Sequence, residues 1–504
     1  MGDKRVLTKI SLGFVAVLMV PVLVLSMVAQ NAGALALGMN LISTGPVPPG
    51  TGGSNSSERP SISADGTKIA FSGYATDLIP GTTISSGNRE IFLYDVVTGT
   101  TKLITAGPLG EGSNGFSHYA VISADGSKIA FMSTATDLVG ANANGNYNVF
   151  VYDVTSGVTK LVTAGPLGDG MDSGWGWAIS ISADGSKIAF GANATDLVGA
   201  NAGGGDNVFL YDATSNTTTL ISKGAGLLGG DAPSNLPTVS ADGSKVVFVS
   251  QATDLIAGST TNSNRNVFLY DVATGTTSLI TKGPSPYSGS DNGCNFRPVD
   301  ISVDNNLIVF SSCATNLISG ITANGNENVY LYNVATGVTK LVTAGASGVG
   351  GDNNSHPASI SANGSVIGFA SNATDLISGV TTDGSNMNVY TYDVATGRIE
   401  LITGGLSGIG GDNGSTRPVF SASGCTITFH SYATDLISGV TMNGFGDVYA
   451  YGRCVEPTPS VPGPGLPNAG YATRGDLIVA VPSMTVAMSV VAGLMIWGVA
   501  RRRG

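Results

Sequence analysis

Cationic and aromatic side chains recur at one position of a repeat, just before the first strand-like stretch of each copy. Such groups around an opening would bind an anionic or sugar-like ligand through charge-assisted hydrogen bonds and stacking. The residues at this position are Arg59, His118, Tyr119, Trp177, Leu236, Arg297, His356 and Arg417, with Trp175 close by. We predict that they form a ligand-binding ring at the mouth of a central channel.

Acidic residues in the preceding loops allow a second interpretation of this ring. Ion pairs between these acids and the cations would order the loops without any ligand, so both interpretations stay open. The acids are Glu111, Asp169 or Asp172, Asp231, Asp291, Asp352 and Asp412.

Motifs of nucleophilic, metal or phosphate chemistry are missing from the sequence. It contains no G-x-S-x-G, no H-E-x-x-H and no glycine-rich loop ending in Lys-Ser/Thr. We therefore predict that the protein is not an enzyme and has no cofactor or metal centre. The formal net charge of −11 argues against nucleic acid as a partner, because phosphate binding needs a basic surface.

Asparagine-rich loops are the one place where a cation could bind. Oxygen-rich loops can hold Ca²⁺, but here Asn mostly stands where Asp would supply charge, so Ca²⁺ binding would be weak. Asn-Gly is also ordinary turn chemistry, and turn formation is our prediction. The loops contain Asn142–Asn146, Asn324–Asn326, Asp383-Gly384 and Asn443-Gly444.

A repeat of 58 to 62 residues must position all of these side chains. Ser-Ala-Asp-Gly begins at Ser63, Ser123, Ser182 and Ser240, and degraded copies begin at Ser302, Ser361 and Ser421. Each copy holds four short runs of alternating apolar residues between turn residues, the pattern of antiparallel strands joined by hairpins. In the second copy these runs are Ala120–Ile122, Lys128–Met132, Asn148–Tyr152 and Lys160–Thr163. Seven such copies predict an all-β, seven-bladed β-propeller of four-stranded blades.

The two ends of the array predict how the ring closes. The seventh copy stops at Cys454 without a fourth strand, whereas an orphan stretch, Asn40–Thr44, matches the fourth-strand pattern of Lys102–Thr105. We expect this N-terminal strand to complete the seventh blade beside Val448–Tyr451. The propeller then spans residues 37–454, and the ring has no free sheet edge.

Loop lengths distinguish the two faces of the predicted propeller. Turns that join strands one and two, or three and four, are tight and share one face, which we call the tight-turn face. The other connections, such as 135–147 and 164–177, are long and share the opposite, long-loop face. Function concentrates in loops longer than closure requires, so we predict that the long-loop face binds.

The stretches SADGSKIAF, ATDLVG and NVFVYDVTSG resemble the TolB-type, WD-repeat-like propeller repeats of bacterial envelope proteins. The resemblance covers residues 40–454 and implies the fold, but the fold hosts binders, scaffolds and enzymes alike. Arg59, Arg297 and Arg417 are similar to the arginine triad of sialidase propellers. Ser-Ala-Asp-Gly-Ser-Lys does not match their S-x-D-x-G-x-T-W box, so a glycosidase-like enzyme is a minor alternative.

Four cysteines test the blade arrangement, since an even number in an exported protein suggests disulfides. Cys294 precedes one strand of a predicted hairpin and Cys313 follows its partner. Cys425 begins the second strand of the seventh copy and Cys454 ends the third. We predict the pairs Cys294–Cys313 and Cys425–Cys454.

Apolar segments at both ends predict export and anchoring. Residues 1–36 read as a signal peptide, with basic residues, a long apolar run and Ala34-Leu35-Ala36 as the cleavage pattern. An uncleaved signal anchor is the alternative. Residues 455–476 form a proline-rich linker, 477–500 are long enough to span a bilayer as a helix, and 501–504 form a basic tail expected in the cytoplasm.

The linker ends in a motif that resembles the LPxTG cell-wall sorting signal. It reads Leu466-Pro467-Asn468-Ala469-Gly470, with Ala469 in place of the threonine that a sortase-like enzyme joins to the wall. A plain membrane anchor is the alternative.

The sequence therefore predicts a monomeric, non-catalytic surface module for adhesion or for binding of an extracellular protein or glycan. A structural scaffold of the cell envelope, similar to TolB-like propellers, is the alternative.

Mass spectrometry of the surface form distinguishes the two kinds of anchor. A retained span predicts an intact C-terminus that includes Arg501–Arg503. Sorting predicts a new C-terminus at Ala469 and loss of the apolar segment.

Overall fold

The computed structural model describes residues 38–454 except 46–51, 83, 85–86, 141–143, 166–167, 169, 173–175, 199–204, 227, 259–262, 284–289, 292–297, 320–322, 346, 381, 383, 407–408, 439 and 441–443. These residues form seven antiparallel sheets of four strands each. The predicted all-β, seven-bladed propeller is confirmed. Within the described residues no helix is long and apolar enough to span a membrane. The predicted signal peptide, linker with its sorting motif, apolar segment and basic tail lie outside them.

Six blades take their strands in chain order, from the innermost strand outward. Blade 1 has β2 (Ser57–Ile62), β3 (Lys68–Gly73), β4 (Glu90–Asp95) and β5 (Thr100–Leu103); blade 2 has β6 (Ser117–Ile122), β7 (Lys128–Ser133), β8 (Asn148–Asp153) and β9 (Thr159–Leu161). Blade 3 has β10 (Gly176–Ile181), β11 (Lys187–Ala192), β12 (Asn207–Asp212) and β13 (Thr217–Leu220); blade 4 has β14 (Ser234–Val239), β15 (Lys245–Ser250), β16 (Asn266–Asp271) and β17 (Thr276–Leu279). Blade 5 has β18 (Asp300–Ile301), β19 (Leu307–Ser312), β20 (Asn328–Asn333) and β21 (Val338–Leu341); blade 6 has β22 (Ser355–Ile360), β23 (Val366–Ser371), β24 (Asn388–Asp393) and β25 (Ile399–Leu401).

Blade 7 is completed by the N-terminal strand, as the sequence predicted. It consists of β26 (Ser415–Phe420), β27 (Thr426–Ser431), β28 (Asp447–Gly452) and, outermost, β1 (Gly38–Leu41). Gly38 lies opposite Gly452, and Leu41 lies opposite Tyr449. The strand begins two residues before the predicted Asn40. The chain beyond it continues the pairing, since the Ile42 N–H donates to the Val448 carbonyl at 2.8 Å.

The Ser-Ala-Asp-Gly turn recurs because its own side chains close it. In blade 1 the Ser63 hydroxyl donates to the Asp65 carboxylate at 2.6 Å, and the Lys68 N–H donates to Ser63 Oγ at 3.0 Å. Gly66 has a φ of 72°, in the left-handed region that glycine enters at little cost. In the degraded turn of blade 5, Asn305 takes the same conformation with a φ of 60°.

These turns also join neighbouring blades around the tight-turn face. The Ala64 N–H of blade 1 donates to the Ala124 carbonyl of blade 2 at 2.8 Å. The Ala422 N–H of blade 7 donates to the Ala64 carbonyl at 3.0 Å, so the hydrogen bonding passes across the seam. The repeated motif therefore serves both the hairpin and the ring.

An aromatic pair fills the core of every blade between the second and third strands. The two rings face each other across the strand pair, with centroids 5.4 to 5.6 Å apart. The pairs are Phe71–Phe92, Phe131–Phe150, Phe190–Phe209, Phe248–Phe268, Phe310–Tyr330, Phe369–Tyr390 and Phe429–Tyr449. Because the pair stands at the same register in each copy, the blades are near-equivalent wedges.

The cysteines agree with the predicted arrangement where they are described. Cys425 and Cys454 form a disulfide with a Cα–Cα distance of 4.8 Å, which confirms that predicted pair. It joins the start of β27 to the chain just after β28, in the closing blade. Cys313 is also disulfide-bonded. Cys294, its predicted partner, lies outside the described residues.

A buried polar residue begins the third strand of every blade. In five blades it is an asparagine whose amide N–H donates to the carbonyl two residues earlier at 2.8 to 3.3 Å. Its oxygen accepts a Ser or Thr hydroxyl from the end of the fourth strand at 2.9 to 3.2 Å. The five residues are Asn148, Asn207, Asn266, Asn328 and Asn388. The asparagine thus satisfies buried groups on both sides.

Two acids replace this asparagine in the blades beside the seam. Glu90 of blade 1 accepts the Thr105 hydroxyl at 2.6 Å, and Asp447 of blade 7 accepts the Ser43 hydroxyl at 2.7 Å. Among the described residues, neither Glu90 Oε1 nor Asp447 Oδ2 has a hydrogen-bond partner. Burial raises the pKa of Glu90 to about 7 and that of Asp447 to about 6. A carboxylate cannot donate as the asparagine amide does, so ionisation of these groups destabilises the fold.

Removal of the closing disulfide should weaken the propeller measurably. The bond closes a loop with a sequence separation of 29. The variant C425S/C454S should lose about 3–4 kcal/mol of unfolding free energy, because the unfolded chain regains that loop's freedom. Urea unfolding followed by tryptophan fluorescence measures the loss. In excess reductant the difference from the parent should vanish, and a difference that persists there would contradict the explanation.

Replacing the buried acid of blade 7 should change how stability depends on pH. The folded-state pKa of Asp447, about 6, lies above its ordinary 3.8, so the folded state binds more protons between these values. Stability is then lost as the pH rises across that window. Asp447→Asn should raise the unfolding free energy at pH 8 by about 1–3 kcal/mol and change little at pH 3.

The matched control is the reverse exchange at the equivalent position of blade 6. Asn388→Asp should destabilise the protein at pH 8 and have little effect at pH 3. Urea unfolding over this pH range measures both variants. A stabilisation by Asp447→Asn that is the same at both pH values would contradict the titration argument.

Candidate functional site

The predicted ring residues lie within the innermost strands, at a bulge near the long-loop face. The pairing register of the inner strand shifts there in six blades. Four bulge residues other than glycine have φ values of 53° to 59°. They are Arg59, Tyr119, Leu236 and Arg417. Backbone of this kind costs energy, persists only where its surroundings hold it, and clusters at functional sites.

A second tier of mouth residues stands just before each third strand. The backbone carbonyl of each such residue accepts the N–H of the first residue in the next blade's inner strand. The Ser117 N–H donates to the Arg89 carbonyl and the Ser355 N–H to the Glu327 carbonyl, both at 2.7 Å. This tier was missed at the sequence level. The sequence signal for this tier is an N-x-N pattern at the start of the third strand. The two outer positions of the pattern are nearly constant, and the middle position varies from blade to blade. The variable residues are Arg89, Tyr147, Asp206, Arg265, Glu327, Met387 and Gly446.

Arg89 is oriented by one acid and one ring. Its guanidinium lies 2.6 Å from the Glu58 carboxylate, which belongs to the inner strand of the same blade. The guanidinium carbon also lies 4.7 Å from the centre of the Tyr74 ring. A guanidinium held this way is ready to bind with little loss of side-chain freedom.

Arg59 and His118 share an aromatic setting. The Arg59 guanidinium lies over the Tyr119 ring at 4.1 Å. The His118 ring contacts Tyr119 at 4.5 Å and Tyr147 at 4.8 Å between centroids. Burial, and then the nearby Arg89 and Arg59 charges, lower the pKa of His118 to about 3. At neutral pH this imidazole is uncharged.

His430 is a further mouth residue that the sequence reading missed. It lies near the end of β27, and its ring meets Tyr432 edge-on at 4.7 Å. Burial lowers its pKa to about 4; Arg417 and Arg59 act in the same direction, whereas Glu58 opposes them. Arg59, Arg89, His118, Arg417 and His430 therefore gather where blades 7, 1 and 2 meet. We call these five residues the cationic sector.

His356, on another side of the ring, is held by an ion pair. Its Nδ1 lies 3.2 Å from a carboxylate oxygen of the buried Glu327, which also accepts the Ser311 hydroxyl at 2.6 Å. For this residue the structural interpretation of the ring applies. Leu236 is buried. Arg297 and Trp175 lie outside the described residues, as does the side chain of Trp177.

Five of the predicted loop acids accept hydrogen bonds from threonines, so ion pairs with the ring are not what orders their loops. Glu111 is exposed and Asp169 lies outside the described residues. Asp231 accepts the Thr253 backbone N–H at 2.7 Å and its hydroxyl at 2.5 Å. In return, Asp254 of the Ala-Thr-Asp-Leu motif accepts the Asp231 N–H at 2.9 Å. Carboxylate-to-threonine bonds of the same kind are made by Asp172, Asp291, Asp352 and Asp412. These short reciprocal bonds order the loops locally.

The described Asn-Gly loops bond as turns. The side-chain oxygen of Asn144 accepts the Asn146 backbone N–H at 3.1 Å, and the side-chain NH₂ of Asn144 donates to the Met171 backbone carbonyl at 2.8 Å. Asn324 repeats this pattern with the Asn326 N–H at 3.2 Å. These side-chain oxygens serve the loop itself.

No protein-family model and no curated protein matches this chain. Solved propellers resemble it. TolB from Acinetobacter baumannii is 16% identical with a TM-score of 0.38, over 73% of this chain and 78% of that one. An oligogalacturonate lyase from Vibrio parahaemolyticus is 14% identical, TM-score 0.47, over 83% and 98%. The β-propeller domain of the Trilobed protease from Pyrococcus furiosus is 12% identical, TM-score 0.46, over 75% and 89%. At such identities the likeness concerns the fold alone.

Proposed function

We propose that the protein is a non-catalytic binding module of the cell exterior that contacts an extracellular protein or glycan through its long-loop face. The observation that carries this proposal is where the chain leaves the propeller. β28 ends at the tight-turn face and β1 begins there, with Gly38 opposite Gly452. The described chain therefore enters and leaves the propeller at the tight-turn face, so the long-loop face is free to contact a partner.

Exposed aliphatic side chains at the loop tips support the same face. They lie in the connections between the fourth strand of one blade and the first strand of the next, and Leu109 is 87% exposed. Exposed aliphatic side chains at this face are available to contact a protein partner. The residues are Leu109, Leu228, Val349, Leu406 and Ile409.

Three carboxyl groups whose pKa values burial raises to about 6 or 7 support a non-catalytic role, because each serves the fold. Perturbed carboxyls often mark catalytic sites. Glu90 accepts the Thr105 hydroxyl and Asp447 accepts the Ser43 hydroxyl, each just after the fourth strand of its blade. Asp300, whose pKa burial raises to about 6, accepts the Ile360 N–H of the next blade at 3.0 Å and so joins two inner strands.

A scaffold of the cell envelope is the second candidate function. The aliphatic loop tips favour it, since leucine and isoleucine suit a protein partner better than a sugar. In a scaffold, the partner would be a resident envelope protein. In a binding or adhesion module, it would be a molecule from outside.

Photo-crosslinking from each face of the full chain on intact cells tests the proposal. A photoreactive residue at Leu109 or Ile409 should give adducts, because these positions would touch the partner. The matched controls are Val158 and Val338, exposed on the tight-turn face, which should give none. Adducts that form only when external glycans or cells are added indicate a binding module, whereas adducts with one envelope protein in pure culture indicate a scaffold. Adducts from the control positions alone would overturn the proposal.

A further inference from the structure

The cationic sector brings three positive charges together. Among the described residues these are Arg59, Arg89 and Arg417, and Glu58 pairs with Arg89. Arg59 and Arg417 act electrostatically on the same histidine, His430, so their charges lie close together. A cluster of positive charge in a partly buried mouth favours an anionic occupant.

Buried nitrogens of this sector lack partners. In the described part of the chain, Arg59 Nε, Arg89 Nε, His118 Nδ1 and His430 Nε2 are buried and have no hydrogen-bond partner. Such orphaned groups are rare in folded proteins, and each carries the cost of lost hydration. A bound ligand that supplies acceptors to this cluster would offset part of that cost.

The aromatic rings specify what kind of anion fits. The Tyr119 and Tyr74 rings lie against the Arg59 and Arg89 guanidinium groups, and a guanidinium can bind a carboxylate through two N–H groups at once. Tyr432, beside His430, is 42% exposed. A flat, exposed ring next to carboxylate-binding groups offers a surface on which a sugar ring can stack.

We propose that the cationic sector binds the carboxylate of an acidic sugar at the end of a glycan chain, with the sugar ring packed on Tyr432. This assignment rests on the proposed binding function and names its ligand class. The same carboxylate chemistry occurs in acidic peptides, which lack a ring to stack on Tyr432.

Binding of such an anion also takes up a proton. His118 faces Arg89, Arg59, Tyr119 and Tyr147. His430 faces Glu58, Arg417, Arg59 and Tyr432. The arginines help keep both imidazoles neutral. A bound carboxylate opposes this effect and raises both pKa values, so the complex holds more protons than the free protein and affinity increases as the pH falls through the raised pKa values.

Calorimetry on the full chain in detergent tests the ligand class. The probe is a tetrasaccharide of galacturonic acid, and its methyl ester is the neutral control with the same sugar rings. The acid form should bind at least tenfold more tightly than the ester, and more tightly at pH 5 than at pH 7. Titration in buffers of different ionisation enthalpy should show proton uptake. Equal binding of acid and ester would overturn the proposal.

One substitution and its matched control locate the site, and a third tests the proton uptake. Arg59→Gln should weaken binding of the acid form at least tenfold. Arg398→Gln removes the same charge from an exposed position on the tight-turn face and should leave binding unchanged. Unchanged melting temperatures show that both variants fold. His430→Gln should reduce the proton uptake. Equal losses from Arg59→Gln and Arg398→Gln would overturn the site.

A tetraglutamate peptide separates the two sources of carboxylate. Binding as tight as that of the uronate tetrasaccharide would overturn the sugar assignment in favour of an acidic peptide. If neither probe binds, this ligand class is wrong. The proposed function then stands or fails separately, on whether crosslinks form from the long-loop face.

Discussion

The pairing of β1 with β28 is the contact on which the other features of the molecule depend. Without it, blade 7 would have three strands and an open edge. The inner strands of blades 7 and 1 would then no longer be held in fixed positions relative to each other. The antiparallel register also decides where the chain leaves. Because Gly38 and Gly452 lie opposite each other, both ends of the propeller are at the tight-turn face.

Departures from the repeat concentrate around that seam. Five blades open their third strand with asparagine, whereas blades 1 and 7 use Glu90 and Asp447. Ser43, which follows β1, donates to Asp447 and accepts the Val448 N–H at 3.0 Å, so the closing segment completes the network itself. The cationic sector lies in blades 7, 1 and 2. Near-equivalent wedges form the ring, and the site that we propose lies where their equivalence is broken.

The repeat predicted the fold well because each blade is specified by local patterns. Ser63, Asp65 and Gly66 close a turn within a few residues, so their spacing can be read directly. The seam and Cys425–Cys454 followed from comparing the two ends of the array. Arg89 and His430 were missed because they reach the mouth from the third and second strands. The left-handed backbone of Arg59 and Tyr119 leaves no residue signature, since neither type is a turn former.

The distribution of charge limits what can reach the mouth. The protein is acidic overall, and many of its aspartates lie in two other places. Turn aspartates such as Asp65 and Asp125 are on the tight-turn face, where their own turns bind them. Loop aspartates such as Asp231 and Asp412 stand on the long loops, where they accept hydrogen bonds from threonines. A long polyanion lying across the face would meet these acids, whereas a single acidic chain end entering at the centre meets the arginines first. The arrangement therefore favours recognition of an end over recognition of a chain.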